Sequence, residues 1–222
     1  MTSLTHRSPS VTATLNYVFD PLCGWCYGAS ATISRLSDNP GVQLNLVPSG
    51  LFSGSGARAM DDEFAAYAWS NDQRIERLTG QRFSDRYRSE VLADRRQRLD
   101  SGPATVALTA VALTAPEREL EALVAIQRAR YVDGLDVTHA DTLLGVLRTL
   151  GLEPAAALLR KPDAALLEAM RGRMAHAQSL LKAFGARGVP TFILDQDGDR
   201  RLLDAGAIYS NPEAFVGQFA EA

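Results

Sequence analysis

The chain carries two cysteines, and both fall in one short stretch, DPLCGWCYG at residues 20–28, separated by Gly24 and Trp25. Thiols spaced C-x-x-C work as a redox dithiol, hold part of a metal site, or do nothing. The backbone that carries them decides. After Pro21 the pattern turns helical, with apolar positions 26, 29, 33 and 36 forming one stripe in WCYGASATISRLS. The pair therefore opens a helix. Unpaired amides and the helix dipole favour an anion there, so Cys23 reads as the nucleophile. Cys26 lies one turn on, its sulfur pointing back toward Cys23, placed to resolve a mixed disulfide. A structural zinc site wants four Cys or His ligands and a catalytic one three. Beyond the pair there are only His6, His139 and His176, none at a ligand spacing, so no metal is expected. His139 and His176 read as surface residues on helices.

Other elements must hold this helix start in place. TATLNYVF (12–19) is β-branched and aromatic and predicts a strand before it. Asn39-Pro40-Gly41 stops the helix, and VQLNLVP (42–48) alternates as a second strand. SGLFSGSGAR (49–58) is a Gly/Ser-rich connection, either a flexible linker or part of the site. From Met60 to Phe184 no strand is expected. DEFAAYAWSNDQRIERL, PATVALTAVALTA, ERELEALVAIQRARYV, HADTLLGVLRTL and DAALLEAMRGRMAHAQSLLKAF all carry helical spacing. Breaks fall at Gly80, Ser101-Gly102, Asp133-Gly134 and Gly151, and Thr138-x-x-Asp141 predicts a helix start. PTFILD (190–195) and RRLLDA (200–205), joined by the turn signal QDGD, read as a closing strand pair. Asn211-Pro212-Glu213 then caps a last helix. Residues 1–10 are polar and read as a frayed tail.

The order is β-α-β, a helical block, then β-β-α, an α/β chain. Residues 11–58 and 185–222 are expected to form one discontinuous domain, with 59–184 as a helical insertion. A hydrophobic share of 46% and a net charge of −3 fit a globular chain with no footprint for nucleic acid. The arginine-rich RYRSEVLADRRQRLD (86–100) interleaves acids and reads as a solvated helix face. No run approaches the roughly 18 apolar residues of a membrane helix, and no long apolar leader core is present. The expected compartment is the cytoplasm, where thiols stay reduced and a C-x-x-C pair is catalytic or metal-binding rather than a staple.

A second stretch bears on the pair. In GARGVPTFILD (185–195), Val189-Pro190-Thr191 begins a strand, a position that tolerates proline. It is either a plain loop-to-strand proline or a cis proline whose preceding backbone pairs with an extended substrate. Spacing leaves both open. Trp25 is likewise either an exposed contact for substrate or a residue packed on the insertion. Asp20 reads as turn chemistry before proline, with proton transfer as the other role, and Tyr27 as helix packing.

FDPLCGWCY, GVPTF and the long helical stretch between them resemble the thioredoxin superfamily. Within it they resemble the DsbA-like branch of disulfide oxidoreductases and isomerases, and AIQRARYVDGLDV (125–137) is similar to its helical domain. The resemblance covers nearly the whole chain after about Val11. It implies a thioredoxin-like fold with a large all-helical insertion, and a cis Pro190 packed against Cys23 and Cys26. Val189 and Thr191 then flank the substrate groove, Cys23 attacks and Cys26 resolves, with no bound organic cofactor. Protein or peptide thiols and disulfides are the implied partners, glutathione a further one; oligomeric state is not readable. The dipeptide Gly24-Trp25 lacks the histidine that helps some relatives stabilise the thiolate, which puts strong oxidant character in doubt. Two other functions compete. One is a glutathione-dependent transferase or isomerase of small molecules, which Cys23 argues against because such relatives carry serine there. The other is a non-catalytic redox-sensing or metal-binding module.

Overall fold

Strand β1 (Ala13–Phe19) buries almost every residue because it has sheet partners on both edges. The computed structural model describes residues 13–219; the tail read at 1–10, with His6, lies outside the described residues. The sheet order is β2 (Val42–Pro48), β1, β5 (Thr191–Gln196), β6 (Asp199–Leu202). β2 runs parallel to β1, as a helical crossover requires, while β5 and β6 are antiparallel. Leu15, Tyr17 and Phe19 point to one face, where Tyr17 stacks on its cross-strand partner Phe192 at 5.2 Å between ring centres. Val18, Val47 and Ile193 fill the other face. The β5–β6 turn is Asp197-Gly198, both at positive φ, the geometry that a two-residue hairpin matched to strand twist demands.

Helix α1 (Gly24–Ser37) follows β1 and buries Cys26, Ala29, Ile33 and Leu36, the stripe read from the sequence. The helical block is α2 (Asp62–Thr79), α3 (Gly102–Thr114), α4 (Glu119–Tyr131), α5 (Ala140–Thr149), α6 (Glu153–Arg160) and α7 (Ala164–Ala183). Gly80, at φ 73°, caps α2 as the left-handed closing residue. The chain ends with α8 (Ala207–Ser210) and α9 (Pro212–Gly217), and the Asn211 side chain caps α9 by accepting from the Ala214 amide. Among the described residues no helix is long and apolar enough to cross a membrane.

Three expectations need correction. A strand does occur inside the helical block: β4 (Arg98–Leu99) pairs antiparallel with β3 (Arg58–Ala59). Two residues are too few to show a period, so only the folded loops bring them together. The stretch 86–100 holds no regular helix but a π-helical turn at Tyr87–Leu92, which buries Tyr87, Val91 and Leu92 while the arginines stay exposed. Finally, Thr138 is not the cap of α5. Its hydroxyl is tied to Asp136 at 2.7 Å, and His139 takes the cap position.

Helix α7 closes the second sheet face with Ala177 and Leu180. Its Arg173 donates to the Leu46 carbonyl of β2 (2.9 Å) and pairs with Glu119 at the start of α4. Burial pushes the Glu119 carboxyl up, and the guanidinium offsets only part of that. Arg173→Ala therefore strands a buried carboxylate and should cost about 3 kcal/mol in urea unfolding followed by tryptophan fluorescence. Adding Glu119→Gln should return part of the loss. An additive pair of effects would show that the two side chains are not coupled.

Candidate active site

Cys23 occupies the N-cap of α1, a position that Ser, Thr, Asp or Asn usually fills so as to accept from the first-turn amides. No side-chain cap bond is made there, so those amides remain for a sulfur anion. Both cysteines are free thiols. Cys23 is 7% exposed and Cys26 not at all, so only Cys23 has a surface to offer. Burial first, and then the neighbouring Cys23, push the Cys26 thiol well up, which keeps it protonated. The Cys23 thiol lies 3.7 Å from the Val189 carbonyl oxygen, and the Val189–Pro190 bond is cis.

Three anchors hold the loop that delivers Cys23. Asp20 is fully buried and accepts from the Leu22 amide (2.9 Å), the Phe52 amide (3.1 Å) and the Ser101 hydroxyl (2.8 Å). Burial raises its pKa and those donors oppose the rise. Tyr131 donates to the Leu22 carbonyl at 2.8 Å, and Tyr17 to the Cys26 carbonyl at 3.2 Å. The 49–58 connection is thus part of the site, since Leu51 and Phe52 line the cavity beside Cys23.

That cavity, of about 210 Å³, is walled by Leu22, Phe52, Phe64, Ile75 and Leu99. Cys23, Asp72 and Arg130 also line it. Asp72 and Arg130 are 4% and 2% exposed. Asp72 comes from α2, which packs closely on α1 because residues 24 and 28 are glycine. A Cβ on Gly24 would lie 2.4 Å from Asp72 Oδ1, and one on Gly28 2.5 Å from Ile75. The glycine of the C-G-W-C motif is thereby explained: a carboxylate fills the space a side chain would need. Tyr87 donates to the other oxygen, Oδ2, at 3.0 Å. Arg130 spreads its guanidinium over the rings of Tyr87 and Tyr131, and its Nε finds no hydrogen-bond partner.

The residues read from the sequence distribute unevenly around this centre. Cys23, Trp25 and Val189 line the cavity. Trp25 is half-buried, edge-on to Tyr209 at 5.0 Å with the Arg74 guanidinium 5.7 Å above it, so it packs on the C-terminal segment and on α2 at once. Pro190 is half-buried beside them, but the contact to the thiol comes from Val189. Thr191 is buried, its hydroxyl donating to the Gly188 carbonyl at 2.7 Å, so its side chain braces the loop. Tyr27 packs α1 on the helical block by stacking on Tyr131 at 4.9 Å. His139 and His176 are exposed and do not line the cavity. Among the described residues no three His, Cys, Asp or Glu cluster as a metal site would need.

Asp72, Tyr87 and Arg130 did not emerge from motif reading. One signal was available for Asp72. It occupies the 65–68–72–75–79 stripe of α2, where every other member is apolar or small, and a carboxylate on a buried stripe marks a site.

The chain belongs to the DSBA-like thioredoxin domain family, whose model matches residues 14–209. It is a thiol-disulfide oxidoreductase with the DsbA-type fold. Among solved structures, the cytosolic disulfide reductase DsbM from Pseudomonas aeruginosa is 33% identical, with 94% of this chain and 97% of that one covered and a TM-score of 0.84. DsbM with GSH aligns at 30% identity over 94% and 98% of the two chains, TM-score 0.79. A structure from Nitrosomonas europaea shares the fold at 21% identity, covering 95% and 96%, with TM-score 0.76. No curated protein matches the chain.

Asp72 makes the site pH-sensitive in stability. Desolvation raises its pKa to about 7, against 3.8 for an exposed carboxyl. A raised folded-state value means stability that is complete below about pH 4 and lost as pH rises through 7. Asp72→Asn, which cannot ionise, should gain stability relative to the parent on going from pH 4 to pH 8. The gain is on the order of 4 kcal/mol at most. Thermal unfolding of both proteins across that range checks it; parallel curves would mean Asp72 titrates normally.

Proposed function

We propose that the protein is a cytoplasmic disulfide reductase acting on protein or peptide disulfides and recharged by glutathione. The observation that carries this reading is the asymmetry of the pair: Cys23 sits uncapped at the helix start with some surface, and Cys26 is sealed beneath it with a raised pKa. Cys23 as thiolate attacks one sulfur of the substrate disulfide, the S–S bond breaks, and the first thiol leaves with a proton. Cys26 then gives up its proton and attacks the Cys23 mixed disulfide. The second substrate thiol leaves, and two electrons have passed from the dithiol to the substrate. Two glutathione thiols return those electrons and depart as glutathione disulfide.

Val189 and Pro190 form the rim along which an extended substrate lies, with Trp25 also lining the cavity and Thr191 bracing the loop. Two features support reduction over oxidation. The dipeptide Gly24-Trp25 puts no cation beside Cys23, so the thiolate gains little beyond the helix amides. The likeness to a cytosolic disulfide reductase, also solved with GSH, points the same way and supports the compartment.

The test is the reduction potential, read from tryptophan fluorescence in glutathione buffers. A value nearer −270 mV than −180 mV is expected, on the reductant side of the roughly −200 mV that separates reductants from isomerases. Cys26→Ala should accumulate mixed disulfides through Cys23. A protein without a reversible two-electron transition, or a Cys26→Ala variant that traps nothing, is not a disulfide exchanger.

A further inference from the structure

The cavity beside Cys23 holds more charge than thiol exchange needs. Cys26, the helix amides and the Val189 carbonyl account for attack and resolution. Asp72 and Arg130 take no part in those steps, yet each is more than nine-tenths buried at the cavity. The two are not an ion pair satisfying one another: Asp72 takes its hydrogen bond from Tyr87, and Arg130 lies over aromatic rings with its Nε unpartnered. Burying an acid and a base that meet only through Tyr87 costs stability, a cost that persists at sites that bind something. An anion and a cation lining one apolar chamber are complementary to a ligand that carries a cation and an anion of its own.

We infer that this cavity is a recognition site for low-mass disulfides bearing an amino-acid zwitterion close to the sulfur, with Asp72 taking the ammonium and Arg130 the carboxylate. The inference rests on Cys23 being the attacking thiol, and it adds a substrate class to the protein and peptide disulfides proposed above. Size agrees. At about 210 Å³ the chamber is smaller than the roughly 300–1,000 Å³ of drug-sized pockets, and suits one amino acid rather than a peptide. Reach agrees as well. Asp72 Oδ1 packs against Gly24, the residue that follows Cys23, so a group held there is only a few bonds from the sulfur under attack. The apolar walls formed by Leu22, Phe52, Phe64 and Ile75 cover a short aliphatic stem and exclude water, which strengthens both ionic contacts. Desolvation raises the Asp72 pKa even though the Tyr87 hydrogen bond and the Arg130 charge lower it, so the carboxyl can still gain from a cation brought by the ligand. The step is the one already described: one S–S bond breaks, the Cys23–Cys26 bond forms, and two amino-acid thiols leave with the two electrons.

The test mixes pre-reduced full-length protein with a series of disulfides and follows a single oxidation by tryptophan fluorescence. The series is cystine (both charges), cystamine (ammonium only), dithiodiglycolate (carboxylate only), 2-hydroxyethyl disulfide (neutral) and glutathione disulfide (a zwitterion further from the sulfur). Each rate is divided by that of dithiothreitol with the same disulfide, which removes intrinsic reactivity. The normalised rate for cystine should exceed that for 2-hydroxyethyl disulfide by about tenfold or more, the size of one charge-assisted contact, with the singly charged compounds between. Asp72→Asn should shrink the cystine-to-neutral ratio by a similar factor while the cystamine advantage disappears. A glutathione disulfide rate above that of cystine overturns the placement of the zwitterion close to the sulfur; the reverse order supports it. Equal normalised rates across the series, or a ratio that Asp72→Asn leaves intact, overturn the inference while leaving disulfide exchange standing. Should that variant not fold, the wild-type series decides alone. Oxidation by none of the five removes the exchange reading itself, and this inference with it.

Discussion

Everything at the centre of this molecule hangs on the Asp20 carboxylate. It lies just past β1, fully buried, and binds donors from three separate places: the turn before Cys23, the 49–58 connection and the start of α3. A buried carboxylate without such donors is among the most expensive groups a fold can contain. The chain therefore has strong reason to bring those segments together and to keep them there. Each has a consequence for the site. The turn presents Cys23 at the cap of α1, the connection supplies Leu51 and Phe52 to the cavity wall, and α3 ties the helical block to the end of β1. The Asp20 carboxylate accepts three loop donors, and it also acts electrostatically on the Cys26 thiol.

The second organising contact is the close approach of α2 to α1. It needs two glycines, one of them inside the dithiol motif, and it fills the resulting space with Asp72 and Ile75. Ile75 is ordinary core packing. Asp72 is not, because desolvation makes it a liability at neutral pH that an asparagine or serine would avoid. Helix packing alone thus accounts for the glycines but not for the acid. Where packing and chemistry disagree about a residue, the chemistry is the better guide to what the site handles.

Much of this was legible in the chain because it is local. The strand–helix–strand unit, the cysteines at a helix start, the Asp197-Gly198 hairpin and the Asn211 cap depend on residues a few positions apart. The cis bond at Pro190 and its place beside Cys23 had to come from resemblance, since spacing allowed an ordinary proline equally well. Trp25 could not be placed because its neighbours, Arg74 and Tyr209, lie far off along the chain. The same holds more strongly for Asp72, Tyr87 and Arg130, which come from α2, a π-helical turn and α4 and meet only when the block folds. Periodicity places such residues on a face; it does not say which faces meet.

The proposed direction of electron flow rests on how differently the two sulfurs are placed. A strong oxidant stabilises its reduced form, chiefly by holding the first thiolate in a positive field. Here the elements at hand are the α1 amides and one buried thiol beneath. The nearest guanidinium that lines the cavity, Arg130, is stacked on Tyr87 and Tyr131 and shares its field with Asp72. Asp72 lies against Gly24, next to Cys23, so the cavity carries a carboxyl as well as a guanidinium and presents no net cation there. A dithiol whose reduced form is little favoured gives its electrons away readily. That is the behaviour expected of the reductant proposed above, and Asp72, the acid that keeps residue 24 a glycine, belongs to the same reading.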